Sequence, residues 1–173
     1  MQVLVLQLAG VRYALETRHV VRVLPAMRLT PLPRCPAYIA GVMNLHGTPV
    51  PVLDLVRIVT TARIESDMQA ATARVTDPAG NDGAYFDTRI VLAECGQTGA
   101  ARSLLGLRAK HVIGIRSIDP AAIAPSGVRD PHSGFLGQVV GNEQPMLQLI
   151  TLQHLLPAHV ATWLFDAVTE AAC

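Results

Sequence analysis

The sequence predicts a mainly β protein made of two five-stranded barrels, short helices and a C-terminal helix. Short apolar runs of four to six residues recur along the chain, and Gly, Pro, Asn and Asp residues separate them. Many short strands at regular spacing favour barrels over an α/β sheet. The 173 residues are half hydrophobic and only 16% charged, which excludes disorder for most of the chain.

Residues 1–60 are expected to form the first barrel. Ala9-Gly10 turns the chain between its first two strands, and His46-Gly47-Thr48-Pro49 closes a hairpin between its last two. Asp54 follows the last strand as a predicted N-cap for a helical turn. The five predicted strands are residues 3–8, 11–15, 20–24, 41–45 and 50–53.

Residues 89–173 are expected to form the second barrel. Its predicted strands are residues 89–94, 104–108, 112–116, 136–140 and 146–150. Thr151 is a second predicted cap, and residues 151–172 are predicted to be helical. The apolar face of that helix would consist of Val160, Trp163, Leu164 and Val168.

Two polar segments interrupt the strands. Residues 61–88 are rich in acidic, amide and turn-forming side chains, which predicts a linker between the barrels with a short helix at 65–74. Residues 119–134 contain three Pro and two Gly and are predicted to be irregular.

An internal repeat indicates that the two barrels are duplicated structures. Residues 14–23 align with residues 106–115 at an offset of 92, and seven of the ten positions match in residue type. The matched positions include His19 with His111, which suggests the same structural role for both. Repeated segments of this kind usually form equivalent structural units.

The composition disfavours several classes of function. A net charge of +1 and only 4% aromatic residues argue against a nucleic-acid binder, which needs a basic stripe or stacking platforms. Cys35, Cys95 and Cys173 are widely separated, which predicts free thiols in a reducing compartment. No apolar run reaches the ~20 residues that span a bilayer, so a cytoplasmic protein is predicted.

The sequence predicts no catalytic, cofactor or metal site. The six His residues are dispersed, and His154 and His159 lack the i,i+4 spacing of a zinc pair. Cys35 has no evident base beside it in the sequence. The apolar hairpin at 41–55 instead predicts a scaffold that binds a partner. A small-ligand- or nucleic-acid-binding β-barrel module is the alternative, followed by an unspecified hydrolase.

Two groups of residues are candidates for binding. Val20 and Val23 stand beside Arg22, and such a β-branched pair would form a docking patch if exposed or part of the core if buried. Asn44 and His46 would either contact a partner or satisfy the hydrogen bonds of the turn.

Several blocks together resemble a known family. They are Tyr13-Ala14-Leu15, residues 36–47 and 49–55 in the first half, and Leu105-Gly106-Leu107 with residues 134–137 in the second. With these blocks the chain resembles the CheW family of chemotaxis coupling proteins, over nearly its whole length outside the linkers. The block at 41–55 is the most specific part of the resemblance.

The resemblance implies a single CheW-like domain, residues 1–173, in which two SH3-like barrels pack around a shared apolar interface. It implies a non-enzymatic adaptor without a cofactor, which joins the cytoplasmic tip of methyl-accepting chemoreceptors to the regulatory domain of a CheA-type histidine kinase. The implied kinase-binding residues are Val20 and Val23. The implied receptor-binding residues are Val42, Asn44 and His46. The expected location is the cytoplasm, at receptor arrays on the inner face of the membrane.

The chain departs from the family pattern at three places. His46 stands where the family usually has Arg, and a mostly neutral His cannot replace a permanent bidentate cation. Ala109-Lys110 stand where the family often has Asp, and the linker is longer than usual. These departures favour a non-flagellar system, such as one that governs pili or surface sensing.

Overall fold

The computed structural model describes residues 1–66, 87–95, 103–125, 138–141 and 146–156, together with Val160 and Leu164. The first seven strands are β1 (Gln2–Leu8), β2 (Val11–Glu16), β3 (Val20–Pro25), β4 (Ile39–Leu45), β5 (Thr48–Asp54), β6 (Thr88–Cys95) and β7 (Ser103–Lys110). The remaining strands are β8 (Val112–Ser117), β9 (Ile123–Pro125), β10 (Gln138–Val140) and β11 (Leu147–Ile150). Helix α1 spans Leu55–Ser66, and short 3-10 turns cover Thr17–His19, Pro120–Ala122 and Leu152–His154.

The mainly β fold is confirmed. The ten predicted strands correspond to β1–β8, β10 and β11, with bounds that differ by at most two residues. Strand β9 lies in the segment 119–134 that the sequence predicts to be irregular. The strands form two sheets, a first sheet in the order β8-β1-β2-β11-β10-β9 and a second sheet in the order β3-β6-β7-β5-β4.

The grouping of strands differs from the predicted division at 1–60 and 89–173. Hairpin β1–β2 lies in the first sheet, between β8 and β11, and hairpin β6–β7 lies in the second sheet, between β3 and β5. Each strand of the two hairpins has a continuous buried run, at Val3–Leu6, Tyr13–Leu15, Ile90–Ala93 and Leu105–Leu107. Strands without a polar face need cover on both sides, and only the central positions of the sheets provide it.

The segment predicted as a linker, residues 61–88, is partly regular. Helix α1 continues to Ser66, and β6 begins at Thr88. The rest of the segment, including most of the helix predicted at 65–74, lies outside the described residues. In the predicted C-terminal helix, Val160 and Leu164 are helical and buried, whereas Trp163 and Val168 lie outside the described part.

The buried apolar side chains form three hydrophobic clusters, one between the two sheets and one on the other side of each sheet. The central core lies between them and includes Leu4, Leu6, Tyr13, Leu53, Val91, Leu107, Ile150, Leu152 and Leu164. The first-sheet core contains Val3, Val5, Ala14, Ile118, Val140, Leu147 and Leu149. The second-sheet core contains Met43, Val50, Val52, Ile90 and Leu92. Strands such as β1 bury alternate side chains in two of these clusters, which explains their continuous apolar runs.

Asp54 begins helix α1, as the sequence predicts. Its Oδ1 accepts hydrogen bonds from the backbone N–H groups of Val56 and Arg57, at 3.0 and 3.2 Å. Its Oδ2 lies 2.5 Å from the Arg108 Nη2 on the neighbouring strand β7. Arg57 also donates through Nη1 to the Ala37 carbonyl oxygen at 3.0 Å. Asp54 thus connects the start of α1 with β7, and Arg57 connects the same turn of α1 with the segment before β4.

Candidate functional site

A β-bulge on strand β3 sets the direction of the candidate kinase-binding residues. Val20 lies opposite Ala93 of β6, and Val23 lies opposite Val91. Because positions 91 and 93 are two apart on a strand, the side chains of Val20 and Val23 share one face despite being three residues apart. The extra residue is accommodated between Val20 and Arg22, where the register shifts.

The two candidates differ in exposure. Val20 is half-buried and packs against the central core. Val23 is 38% exposed, and its neighbour Val21, which the sequence analysis did not select, is 50% exposed. The side chain of Arg22 is exposed between them. The exposed residues Val21 and Val23 are called the β3 patch, which lies at the edge of the second sheet. Val20, on the same strand, packs against the central core.

Strand β8, at the edge of the first sheet, repeats this arrangement. Val112 lies opposite Leu6 and Ile115 opposite Leu4, with the register shift between Leu6 and Val5. Ile113 and Ile115 are 46% and 65% exposed and form the β8 patch. Neither residue was predicted as a binding residue, although the internal repeat aligns Ile113 with Val21 and Ile115 with Val23. That alignment was the signal that could have found them.

The two patches differ in charge. Arg22 lies between Val21 and Val23 in the sequence of β3, whereas Gly114 occupies the corresponding position of β8. At the start of β3, the Arg18 guanidinium forms an ion pair with Glu16 and donates through Nε to Nε2 of His19 at 3.2 Å. The β3 edge therefore carries exposed cationic side chains next to its apolar residues, whereas Gly114 contributes no charge to β8.

The candidate receptor-binding residues lie on β4, at the opposite edge of the second sheet from β3. Val42 is half-buried against the central core, and its backbone exchanges two hydrogen bonds of 2.8 Å with Thr30. Asn44 shares its face of the strand and is exposed, and His46 is exposed in the turn that follows. The three residues thus extend from the junction of the sheets to the tip of the hairpin.

Asn44 and His46 both have a role in the turn. The Asn44 side-chain oxygen accepts a hydrogen bond from the Gly47 N–H at 2.7 Å. His46 has a φ of 51° and Gly47 a φ of 88°, which is the backbone of a type I′ hairpin turn. The hydrogen bond from Gly47 to Asn44 stabilises this turn. Asn44 therefore satisfies a hydrogen bond of the turn, which is one of the two roles that the sequence leaves open.

Gly41 permits the close approach of the segment that covers β4. A Cβ at this position would lie 2.5 Å from the Thr30 carbonyl oxygen, and its φ of 139° is one that glycine favours. The bridge between Thr30 and Val42 therefore depends on the absence of a side chain at Gly41. This covers the outer edge of β4 around Val42 and leaves Asn44 exposed.

Comparison with known proteins decides the family. The family model of the CheW-like domain matches residues 2–159, which is most of the chain. The chain belongs to the CheW-like domain family.

Two known proteins are similar to this CheW-like chain. The protein FrzA of Myxococcus xanthus is 41% identical over 54 residues, which cover 31% of this chain and 34% of that protein. The match thus spans about a third of the length of this curated relative. The crystal structure of the scaffolding protein TtCheW from Thermoanaerobacter tengcongensis aligns with a TM-score of 0.69 at 24% identity, over 92% of this chain and 89% of that one. That likeness confirms the predicted fold of two SH3-like barrels.

The described residues also define the surroundings of the possible metal ligands and of two thiols. No group of three His, Cys, Asp or Glu side chains there could hold a metal ion. Burial raises the pKa of the Cys95 thiol and of the Tyr38 hydroxyl, so both groups stay protonated at neutral pH. Cys35 donates its thiol proton to the Leu32 carbonyl oxygen at 3.0 Å. Within the described part of the chain, no helix is long and apolar enough to cross a membrane.

Proposed function

We propose that this chain is a non-enzymatic adaptor that couples chemoreceptors to a CheA-type histidine kinase in chemotaxis-like signalling. Membership of the CheW-like family supports the class of function. The single observation that supports the mechanism is the β3 patch, because Val21 and Val23 are two of only five large hydrophobic residues that are exposed in the described part of the chain. Exposed apolar surface of this kind typically marks a protein–protein contact. The adaptor would act in the cytoplasm, at receptor arrays, without a cofactor.

The kinase regulatory domain is the proposed partner of the β3 patch. Val23 would contact it directly, whereas half-buried Val20 would keep the strand in place. Arg22 adds a positive charge to the same strand, so the matching surface of the kinase should be apolar with an acidic group beside it. Such a contact would bury roughly 1,200 Å² or less, as in other transient signalling complexes.

The receptor tip is the proposed partner of Val42, Asn44 and His46. A receptor helix could lie along this strip, with its apolar side toward Val42 and its polar side toward the turn. His46 lacks the permanent, bidentate cation of Arg, so the contact would not rely on one. This difference supports a receptor other than those of flagellar chemotaxis, in a pili- or surface-sensing system.

The test is a titration of this protein against the regulatory domain of the histidine kinase encoded nearest to it. Val23→Glu should weaken binding at least tenfold, which is about 1.4 kcal/mol, because it places a charge in the apolar contact. Ala124→Glu is the matched control, since it adds the same charge to an exposed position on edge strand β9, away from both patches. Equal affinity for both variants, with circular dichroism spectra unchanged, would remove the β3 patch from the kinase contact.

A further inference from the structure

The two sheets are built to the same plan from exchanged hairpins. For this comparison, the first half is residues 1–66 and the second half is residues 87–173. In the second sheet, hairpin β6–β7 of the second half lies between β3 and β5 of the first half. In the first sheet, hairpin β1–β2 of the first half lies between β8 and β11 of the second half. Each half thus inserts its first two strands into the sheet of the other.

The equivalence extends to individual positions. Each of four pairings in the first sheet has a counterpart in the second sheet. Leu4 pairs with Leu15 as Val91 pairs with Leu107, and Leu4 pairs with Ile115 as Val91 pairs with Val23. Leu149 pairs with Ala14 as Val52 pairs with Gly106, and Val139 pairs with Ala124 as Val42 pairs with Thr30. Antiparallel, bulged and parallel pairings are therefore repeated in register. The second sheet even has a counterpart of β9, the bridge at Thr30.

Every hydrophobic cluster contains residues of both halves. Val3, Val5 and Ala14 of the first half complete the first-sheet core, and Ile90 and Leu92 of the second half complete the second-sheet core. Removing either half would take the two central strands from one sheet and the outer strands from the other. Each half alone would leave its apolar strands and their backbone hydrogen-bonding groups without partners.

The direct crossings between the sheets lie within each half. Strand β2 leads to β3 through the 3-10 turn Thr17–His19, and β7 leads to β8 through His111 alone. The halves themselves are joined along the chain only through residues 67–86. Cutting that connection would leave all the strand pairs described above intact.

We propose that the chain is a fused dimer, in which the surface between the halves is a complete protein–protein interface. The binding partner of each half is the other half, recognised through the central strands of its sheet and the shared cores. The covalent connection through residues 67–86 raises the local concentration of the two halves but does not determine how they pair. The partner is thus a segment of this chain, and it binds in the same arrangement when it is a separate polypeptide.

The experiment cuts the folded full-length protein. A recognition sequence for a site-specific protease replaces residues 76–82, and the uncut variant is purified first to show that it folds. After complete cleavage, light scattering during gel filtration should give one species with the mass of the uncut chain, 18.5 kDa in the parent protein. The circular dichroism spectrum should be unchanged. Tenfold dilution should lower the unfolding temperature of the cut protein and leave that of the uncut control unchanged.

A second arm tests whether the halves need each other. The two pieces are separated in denaturant and refolded by dilution, either together or apart. Only the mixture should recover the native spectrum and mass, because each half needs the central strands of the other. A half that recovers a folded state by pairing with a second copy of itself would contradict the proposed partner. A half that refolds into a stable monomer overturns the proposal. Loss of structure on cleavage of the folded protein overturns it as well.

Discussion

Replacing Gly106 by alanine should destabilise the protein, although the same change in an open strand normally stabilises it. Gly106 lies on the central strand β7 with its face toward the second-sheet core. A Cβ there would lie 2.9 Å from Cγ2 of Val52 and 3.2 Å from Cγ2 of Ile90. Both side chains are fully buried and β-branched, so they cannot rotate away without disturbing their own contacts.

The size of the effect follows from two opposing contributions. Crowding in a packed core costs about 1–3 kcal/mol. The smaller conformational freedom of alanine in the unfolded chain offsets about 0.5–1 kcal/mol. The net loss should be about 1–2 kcal/mol, which lowers the unfolding temperature of a chain of this size by roughly 2–8 °C.

Urea denaturation of a double-mutant cycle measures the cause. Val52→Ala removes the methyl group that meets the new Cβ, so the double variant Gly106→Ala/Val52→Ala should be more stable than the two single losses predict, by about 1 kcal/mol. Ala14 is the natural control, since it occupies the equivalent position in the first sheet and already has a buried Cβ there. Ala14→Gly should lose stability. A Gly106→Ala variant as stable as the parent, without coupling to Val52, would refute the reasoning.

Three further changes have defined outcomes. Asp54→Asn keeps the helix cap through its side-chain oxygen but loses the ion pair with Arg108, so equilibrium unfolding should show a loss of about 1–2 kcal/mol; Asp54→Ala should lose about 1 kcal/mol more. His46→Asn should raise stability by about 0.5–1 kcal/mol in thermal denaturation, because asparagine tolerates a positive φ better than histidine; an unchanged midpoint would contradict strain at the turn. Burial raises the pKa of Cys95 above its ordinary 9.0, so the unfolded chain loses this proton first and stability should fall as the pH rises above 9. Cys95→Ala should make this fall less steep, and an identical pH profile would exclude a contribution from the thiol.

Local features of the fold could be predicted because neighbouring residues determine them. The turn at His46-Gly47 and the cap at Asp54 need only a few adjacent residues, and both occur where the sequence places them. The apolar runs likewise predict ten strands, since burial on two faces leaves a continuous hydrophobic pattern. The exchange of hairpins could not be predicted in the same way. The parallel pairs of β5 with β7 and of β2 with β11 join residues far apart in sequence, and the pattern of a strand does not specify its partner.

The candidate site shows the same limit on a smaller scale. Val20 and Val23 were selected as a pair, and they do share a face, but only because a bulge accommodates one extra residue between them. Alternation along a regular strand would have put them on opposite faces. The bulge also exposes Val21, which the sequence analysis missed. A register shift depends on the partner strand, so the sequence of β3 alone does not contain this information.

Hairpin exchange also determines how the β3 patch and the β8 patch are held relative to each other. The β3 patch lies on a strand paired with β6, and the β8 patch on a strand paired with β1, so each patch of one half rests on a strand of the other. Val20 and Val112, which support the two patches, both pack against the same central core. A rigid core holds the two edges at a fixed spacing, since packed interiors resist deformation. Arg22 and Gly114 then give the two equivalent edges different charges, so a partner that fits the β3 edge need not fit the β8 edge.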